Sequence, residues 1–288
     1  MRYTAALALI ITTMLCQPAQ ADDAWQLAPA VREKSLTVLR AAIHADDFWP
    51  AIHAAEALTL AGYPQEVHDV LQPKLNAETD DQRRCGLARE LVRAGDRQRS
   101  EVMLGILRKA NPHGHVHAAE SLYKVGWVGE AAPLEQAAQS DDIRLRLMAS
   151  AALARHAKGS ARADAFAVIR QTLRDETDPA VFRLAAWVLG RIGEDKDRAL
   201  IRARLQDAND DLVRAFLQHA LAALGDEDGR RALLDNFQSN DPAIRTYAAV
   251  FAGESKIFAA APFLIRQLED DNLDARVRAA QALFVLAQ

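Results

Sequence analysis

Apolar residues recur along most of this chain at three- and four-residue spacing, and no stretch alternates at every second position. Leu39 and Ile43, Leu71 and Leu75, Leu104 and Leu107, Ile169 and Leu173, Ile201 and Leu205, and Leu264 and Leu268 each fall on one helical face. After each such stretch comes a second, richer in alanine. Eight of these second stretches align. They read Ile52-His-Ala-Ala-Glu-Ala-Leu58, Cys85-Gly-Leu-Ala-Arg-Glu-Leu91, Val116-His-Ala-Ala-Glu-Ser-Leu122, Leu147-Met-Ala-Ser-Ala-Ala-Leu153, Arg183-Leu-Ala-Ala-Trp-Val-Leu189, Ala215-Phe-Leu-Gln-His-Ala-Leu221, Thr246-Tyr-Ala-Ala-Val-Phe-Ala252 and Val277-Arg-Ala-Ala-Gln-Ala-Leu283. Their closing residues are separated by 33, 31, 31, 36, 32, 31 and 31 positions. A period this regular predicts helix pairs that cannot bury their apolar faces alone and must stack.

Three further columns share the register. Eleven residues before each closing position stands Asp47, Asp80, Asn111, Asp142, Asp178, Asp210, Asp241 or Asn272. All are side chains that accept a free N–H at a helix start. Pro112, Pro179 and Pro242 follow at the position a first helical turn accepts. Four residues after the Asp column come Arg84, Arg146, Arg214, Arg245 and Arg276, expected to pair with an Asp of the same or the next repeat. Gly62, Gly95, Gly126, Gly193 and Gly225 stand where the second helix should stop. The long interval of 36 surrounds residues 158–164, which implies a longer loop or a longer first helix there.

Residues 261–283, which open Ala261-Pro-Phe-Leu-Ile-Arg-Gln-Leu-Glu-Asp-Asp-Asn272 and end Val277-Arg-Ala-Ala-Gln-Ala-Leu283, resemble a HEAT repeat of the short, phycobilin-lyase-like kind. So does the stretch from Asp178-Pro-Ala-Val-Phe-Arg to Gly193. The resemblance covers essentially all of the chain after residue 21. It implies an all-α fold, an α-α superhelix of about eight helix pairs, with second helices on the concave side. The repeats fall at approximately 22–62, 63–95, 96–126, 127–157, 158–193, 194–225, 226–256 and 257–288. The tetratricopeptide period is similar, but its Trp–Leu-Gly–Tyr signature is missing.

Residues 1–21 carry a different signal. Arg2 precedes an apolar run ending at Leu15, too short to span a bilayer, and Ala19-Gln-Ala21 fits a signal-peptidase site. We read a secretory signal peptide and a periplasmic or secreted product, with no membrane insertion after cleavage. Leu15 before Cys16 argues against a lipid anchor. Cleavage removes Arg2 and no acid, so the formal charge moves from -4 to -5. It leaves one cysteine, Cys85, which reads as a small buried hydrophobe. An acidic balance and export both argue against nucleic acid as partner.

Chemistry is thin. There is no phosphate loop, dinucleotide fingerprint or nucleophile elbow, so neither a cofactor nor an enzymatic activity is expected. His53 and His117 each open the sequence His-Ala-Ala-Glu. Deoxyhypusine hydroxylases, which are HEAT-like, hold two irons with adjacent His-Glu pairs from several repeats. The pairs here are His-x-x-Glu, occur twice, and in an open stack lie two repeats, about 20 Å, apart. His113, His117 and Glu120, at i, i+4 and i+7, form a weaker candidate for a local metal stripe. The second-helix face offers more. Two residues after the closing position stand Arg93, Lys124, Arg155 and Arg191 in consecutive repeats, and two before it stand Glu56, Arg89, Glu120, Trp187 and His219. This cationic row predicts an exported interaction module or scaffold that binds an acidic protein segment on its concave face. The alternative is a metal-binding protein, or an accessory subunit of a secreted enzyme, using His113, His117 and Glu120.

Overall fold

The computed structural model describes residues 25–126, 130–156 and 158–288, so the signal-peptide reading of residues 1–21 lies outside the described residues. Among the described residues there are sixteen α-helices and no strand. They run in pairs. α1 (Pro29–Ala42) and α2 (Phe48–Leu60) lead, followed by α3 (Pro64–Ala77) and α4 (Asp81–Arg93), then α5 (Ser100–Leu107) and α6 (His115–Val125). α7 (Ala132–Ala137) precedes α8 (Ile143–His156), and α9 (Gly159–Asp175) precedes α10 (Pro179–Ile192). The last three pairs are α11 (Asp197–Asp207) with α12 (Asp211–Ala223), α13 (Glu227–Asn236) with α14 (Pro242–Glu254), and α15 (Ala261–Gln267) with α16 (Leu273–Leu286). The extra residues near 158–164 lengthen α9 to 17 residues instead of forming a loop.

The Asp column works as helix caps. Asp80, Asp178, Asp210, Asp241 and Asn272 each accept a backbone N–H of the first turn that follows, and Asp142 accepts those of Arg144 and Leu145. Two members depart. Asp47 makes no side-chain cap bond. Asn111 accepts only the N–H of His113, because α6 begins at His115 behind Gly114 (φ 94°). Pro112 therefore occupies a turn and not a first helical position. The Arg column does something the sequence did not suggest. Arg214 and Arg245 donate to the carbonyls of Ala208 and Ser239, six residues back, at 3.0 and 2.7 Å. Arg146 and Arg276 do the same to Ser140 and Asp270. Each guanidinium thus satisfies carbonyls left open where the first helix of its pair ends. Arg245 also grips Asp270 of the next repeat at 2.7 Å, the pairing expected of it.

Small residues set the spacing of second helices. A Cβ on Gly253 would lie 2.7 Å from Ala282 Cα, and one on Gly190 would lie 3.0 Å from Ala220 Cα. In both cases the residue just after one closing position rests on the alanine just before the next. Backbone contact of this kind tolerates no methyl group.

The stack closes on itself. α16 packs against both α2 and α1, so the last repeat meets the first. Gln288 Nε2 donates to the Leu60 carbonyl at 2.9 Å, Arg278 pairs with Glu56 at 3.0 Å, and Lys34 pairs with Glu269. The result is a ring of eight pairs with the second helices α2, α4, α6, α8, α10, α12, α14 and α16 inside. An open stack would leave one face of each terminal helix in water. Here α2 and α16 are buried around most of their circumference, Phe284 and Leu286 included.

Candidate functional site

The inner helices surround one cavity of about 540 Å³. Its lining follows from the repeat register. Where an inner helix reaches the cavity, it does so mainly with residues two before or two after the closing position, as with Glu56, Arg89, Glu120, Lys124, Trp187, Arg191, Val250 and Glu254. Those five and nine before it lie on the same stripe, one and two turns higher, because three- and four-residue steps return to the same face. The lower two turns, legible in the sequence, supply Arg89, Lys124, Trp187 and Arg191, all of which line the cavity. The upper turns add His53, noticed in the sequence only for its His-x-x-Glu spacing, and Trp49, Phe216, Tyr247, Asp274 and Arg278, which the sequence did not single out. The same periodicity, extended by two turns, would have located them.

Arg93 and Arg155 belong to the same row but not to the cavity wall. Arg93 pairs with Glu90 and, at 3.1 Å, with Glu56; burial opposes its charge, but these two carboxylates outweigh it and hold its pKa above the ordinary value. Arg155 donates to the carbonyl of Tyr123, at the end of the preceding inner helix, and lies over the Tyr123 ring at 5.3 Å. These two cations brace helix ends between repeats, where a cation complements the helix dipole.

The cavity has two unlike walls. The first, from α16, α2, α4 and α6, is ionic. Burial alone would raise Glu56, but Arg93, Arg278 and Arg89 hold it well below the usual carboxylate range. Burial likewise opposes ionisation of Glu120, yet Lys124 at 2.6 Å and Arg89 bring it down to about 2. Arg89 is 3% exposed, donates from Nε to Glu90 at 2.6 Å, and has no partner at Nη2. His53 Nδ1 lies 2.6 Å from Asp274 across the ring closure. Burial and the Arg278 charge nevertheless push His53 down to about 4, so a neutral imidazole donates to an ionised Asp274 at neutral pH. Trp49 stacks on His117 with ring centroids 5.4 Å apart.

The second wall, from α10, α12 and α14, is apolar and aromatic. Leu184, Trp187, Phe216, Tyr247 and Val250 form it. Phe216 and Tyr247 have centroids 4.4 Å apart, and Trp187 meets Tyr123 edge-on at 5.3 Å. Lys124 and Arg191 flank the Trp187 ring at 5.4 and 4.7 Å. Below it, Arg191 pairs with Glu254, whose pKa burial raises. Arg183 rises from this wall over Phe216, at 6.0 Å, and has no carboxylate within ion-pair distance among the described residues.

His53 and His117, on separate repeats, both face the one cavity, and Trp49, one turn before His53, stacks on the His117 ring. One expectation needs correcting. The stripe of His113, His117 and Glu120 does not form. His113 precedes the start of α6 and its Nε2 lies 2.7 Å from Asp80, whereas His117 and Glu120 face inward. No group of three or more His, Cys, Asp or Glu side chains among the described residues is arranged to hold a metal ion. Cys85 is fully buried and burial pushes its thiol up to about 12. No helix among the described residues is long and apolar enough to cross a membrane.

Comparison with known proteins agrees with the repeat reading and adds no chemistry. The family model for HEAT repeats matches residues 131–222, so that segment carries the repeat type the sequence suggested. No curated protein matches the chain. Among solved structures, human deoxyhypusine hydroxylase in complex with glycerol is similar at 17% identity, over 89% of this chain and 97% of that one, with a TM-score of 0.41. A crystal structure of an engineered protein is similar at 18% identity, over 88% and 96% of the two chains, with a TM-score of 0.28.

Proposed function

We propose that this chain is an exported, non-enzymatic helical-repeat module that receives an acidic segment of a partner protein inside its ring. One observation carries the reading. The cavity is lined by six cations (Arg89, Lys124, Arg144, Arg183, Arg191 and Arg278) against four carboxylates (Glu56, Glu120, Glu254 and Asp274), in a chain of net charge -4. The interior is therefore positive relative to the whole. A narrow anionic chain satisfies that excess, and low-dielectric walls strengthen the attraction. A cavity of this volume lies in the range that protein ligand sites occupy, about 300–1,000 Å³. It takes a short extended stretch and excludes a folded domain. The module works by preorganised complementarity: the ion pairs fix the wall before the partner arrives.

Hexaglutamate, hexaglutamine and hexalysine separate this reading from a neutral channel. The account expects hexaglutamate to quench tryptophan fluorescence saturably, more weakly as salt is raised, and the other two to bind at least ten-fold less well. Arg144→Glu, at the exposed rim, should weaken hexaglutamate further. Equal response to all three peptides overturns the reading. Export is tested separately by N-terminal sequencing of the secreted product, expected to begin at Asp22.

A further inference from the structure

Resting on that reading, we propose that the α10–α12–α14 wall is a subsite for an acidic side chain followed two residues later by an aromatic one. Every other cation that lines the cavity already faces a carboxylate of the protein: Arg89 faces Glu90, Lys124 faces Glu120, Arg144 faces Asp178, Arg191 faces Glu254 and Arg278 faces Glu56. Arg183 alone among them has none within ion-pair distance among the described residues. Its charge is half-buried beside an aromatic ring, where an incoming carboxylate forms a charge-assisted, two-point hydrogen bond in poor competition with water.

The surface next to it is equally unmet. Among the described residues, Tyr247 is one of three large hydrophobic residues left exposed, at 36%, and of those three it is the one that lines the cavity. Its ring packs on the Phe216 ring with the planes tilted by 55°, and the two make an aromatic shelf with Leu184 and Val250 alongside. A flat aromatic group laid on the exposed Tyr247 ring gains offset-stacking contact as well as apolar burial. The distances bound the spacing. Arg183 lies 6.0 Å from the Phe216 centroid, and the Tyr247 centroid lies 4.4 Å from that of Phe216. On an extended segment, side chains at i and i+2 point the same way and stand about 7 Å apart, which spans from the guanidinium to the shelf. The pattern recognised is therefore acidic-x-aromatic. The opposite wall offers no unpaired cation: its one open donor, Arg89 Nη2, belongs to a guanidinium already paired with Glu90.

The test uses acetylated, amidated hexapeptides with a central Glu-Gly-Phe, Gln-Gly-Phe or Glu-Gly-Ala, titrated calorimetrically into the full-length protein beside hexaglutamate. Glu-Gly-Phe should bind at least ten-fold tighter than either relative. Arg183→Gln should reduce the Glu-over-Gln preference to less than two-fold, and Tyr247→Ala should do the same to the Phe-over-Ala preference. Both variants should keep the parent's circular dichroism and nearly its melting temperature, which separates lost recognition from lost folding. If hexaglutamate binds but phenylalanine adds nothing, or if Arg183→Gln leaves the Glu preference intact, the subsite is wrong and the acidic-segment reading stands. If no peptide binds, hexaglutamate included, that reading fails with it. If free 3-phenylpropanoate displaces Glu-Gly-Phe at equal or higher affinity, the wall serves small organic acids and the proposal of a peptide partner is overturned.

Discussion

The two walls of the cavity are built on one repeat and one stripe of positions, yet they do opposite things. Where α2 and α6 present His53, Glu56, His117 and Glu120, α10 and α14 present Leu184, Trp187, Tyr247 and Val250. The ionic wall is occupied with itself: each charge is matched, and removing one strands its partners. The aromatic wall holds a cation and a ring with nothing opposite them. On the proposed function, stability is concentrated in the first wall and recognition in the second. The solenoid lets the two evolve apart because the backbone register is fixed by caps, alanines and glycines that neither wall uses.

The sharpest way to break this comparison is to remove a shared partner from the ionic wall. Glu56→Ala leaves both Arg93 and Arg278 short of a carboxylate in a buried setting, and should cost about 3–5 kcal/mol of unfolding free energy in urea melts. A loss below about 1 kcal/mol would mean that the network is solvated and the division of labour fails.

Residue for residue, a smaller effect comes from pH. Burial pushes His53 to about 4 and His219 to about 3, from an ordinary 6.5. His219 is fully buried with Nδ1 unpartnered and Nε2 3.1 Å from Asn236 Nδ2. Both histidines are neutral when folded, so between these values the unfolded chain binds more protons than the folded one. Their contribution is complete above pH 6.5 and declines as pH falls towards 4, at about 1.4 kcal/mol per pH unit for each. Stability measured from pH 7 to pH 4.5 should fall accordingly, and His53→Asn should remove about half of that slope. An unchanged slope would show that His53 is not the neutral donor to Asp274 described here.

The smallest effect belongs to the aromatic wall. Arg183→Gln breaks no ion pair and should change stability by no more than about 0.5 kcal/mol. A cost comparable with that of Glu56→Ala would make Arg183 structural and erase the contrast between the walls.

Much of this was legible in the sequence because it is local. Eleven-residue offsets from Asp to closing residue set the caps, and the interval of 36 marked the long first helix. Within the site, Arg89, Lys124, Trp187 and Arg191 were found because their column had a visible charge pattern. Tyr247 and Arg278 were not, because one turn higher the column mixes His, Phe, Tyr and Arg and shows no common chemistry; His53 drew notice only for its His-x-x-Glu spacing, not for the wall it joins. His113 was misplaced because spacing alone assumed a helix that Gly114 delays. Closure was hidden for another reason. It depends on contacts such as Glu56 with Arg278, more than two hundred residues apart, which no periodicity encodes. A trace exists in the last inner helix, where Ala282-Leu-Phe-Val-Leu286 offers none of the polar outer face that a terminal repeat in an open stack requires.

Everything about the cavity rests on that closure, so the distance between the first and last inner helices tests the account most directly. Nitroxide labels on Leu60→Cys and Gln288→Cys, in a chain carrying Cys16→Ala, report it by double electron–electron resonance; Cys85, buried and with its thiol pushed up to about 12, stays unlabelled. A closed ring predicts one narrow distribution at about 20 Å or less. An open stack with seven steps of about 8–10 Å between successive inner helices places the ends about 60 Å apart or more, and a distribution centred there would contradict the ring and the cavity with it.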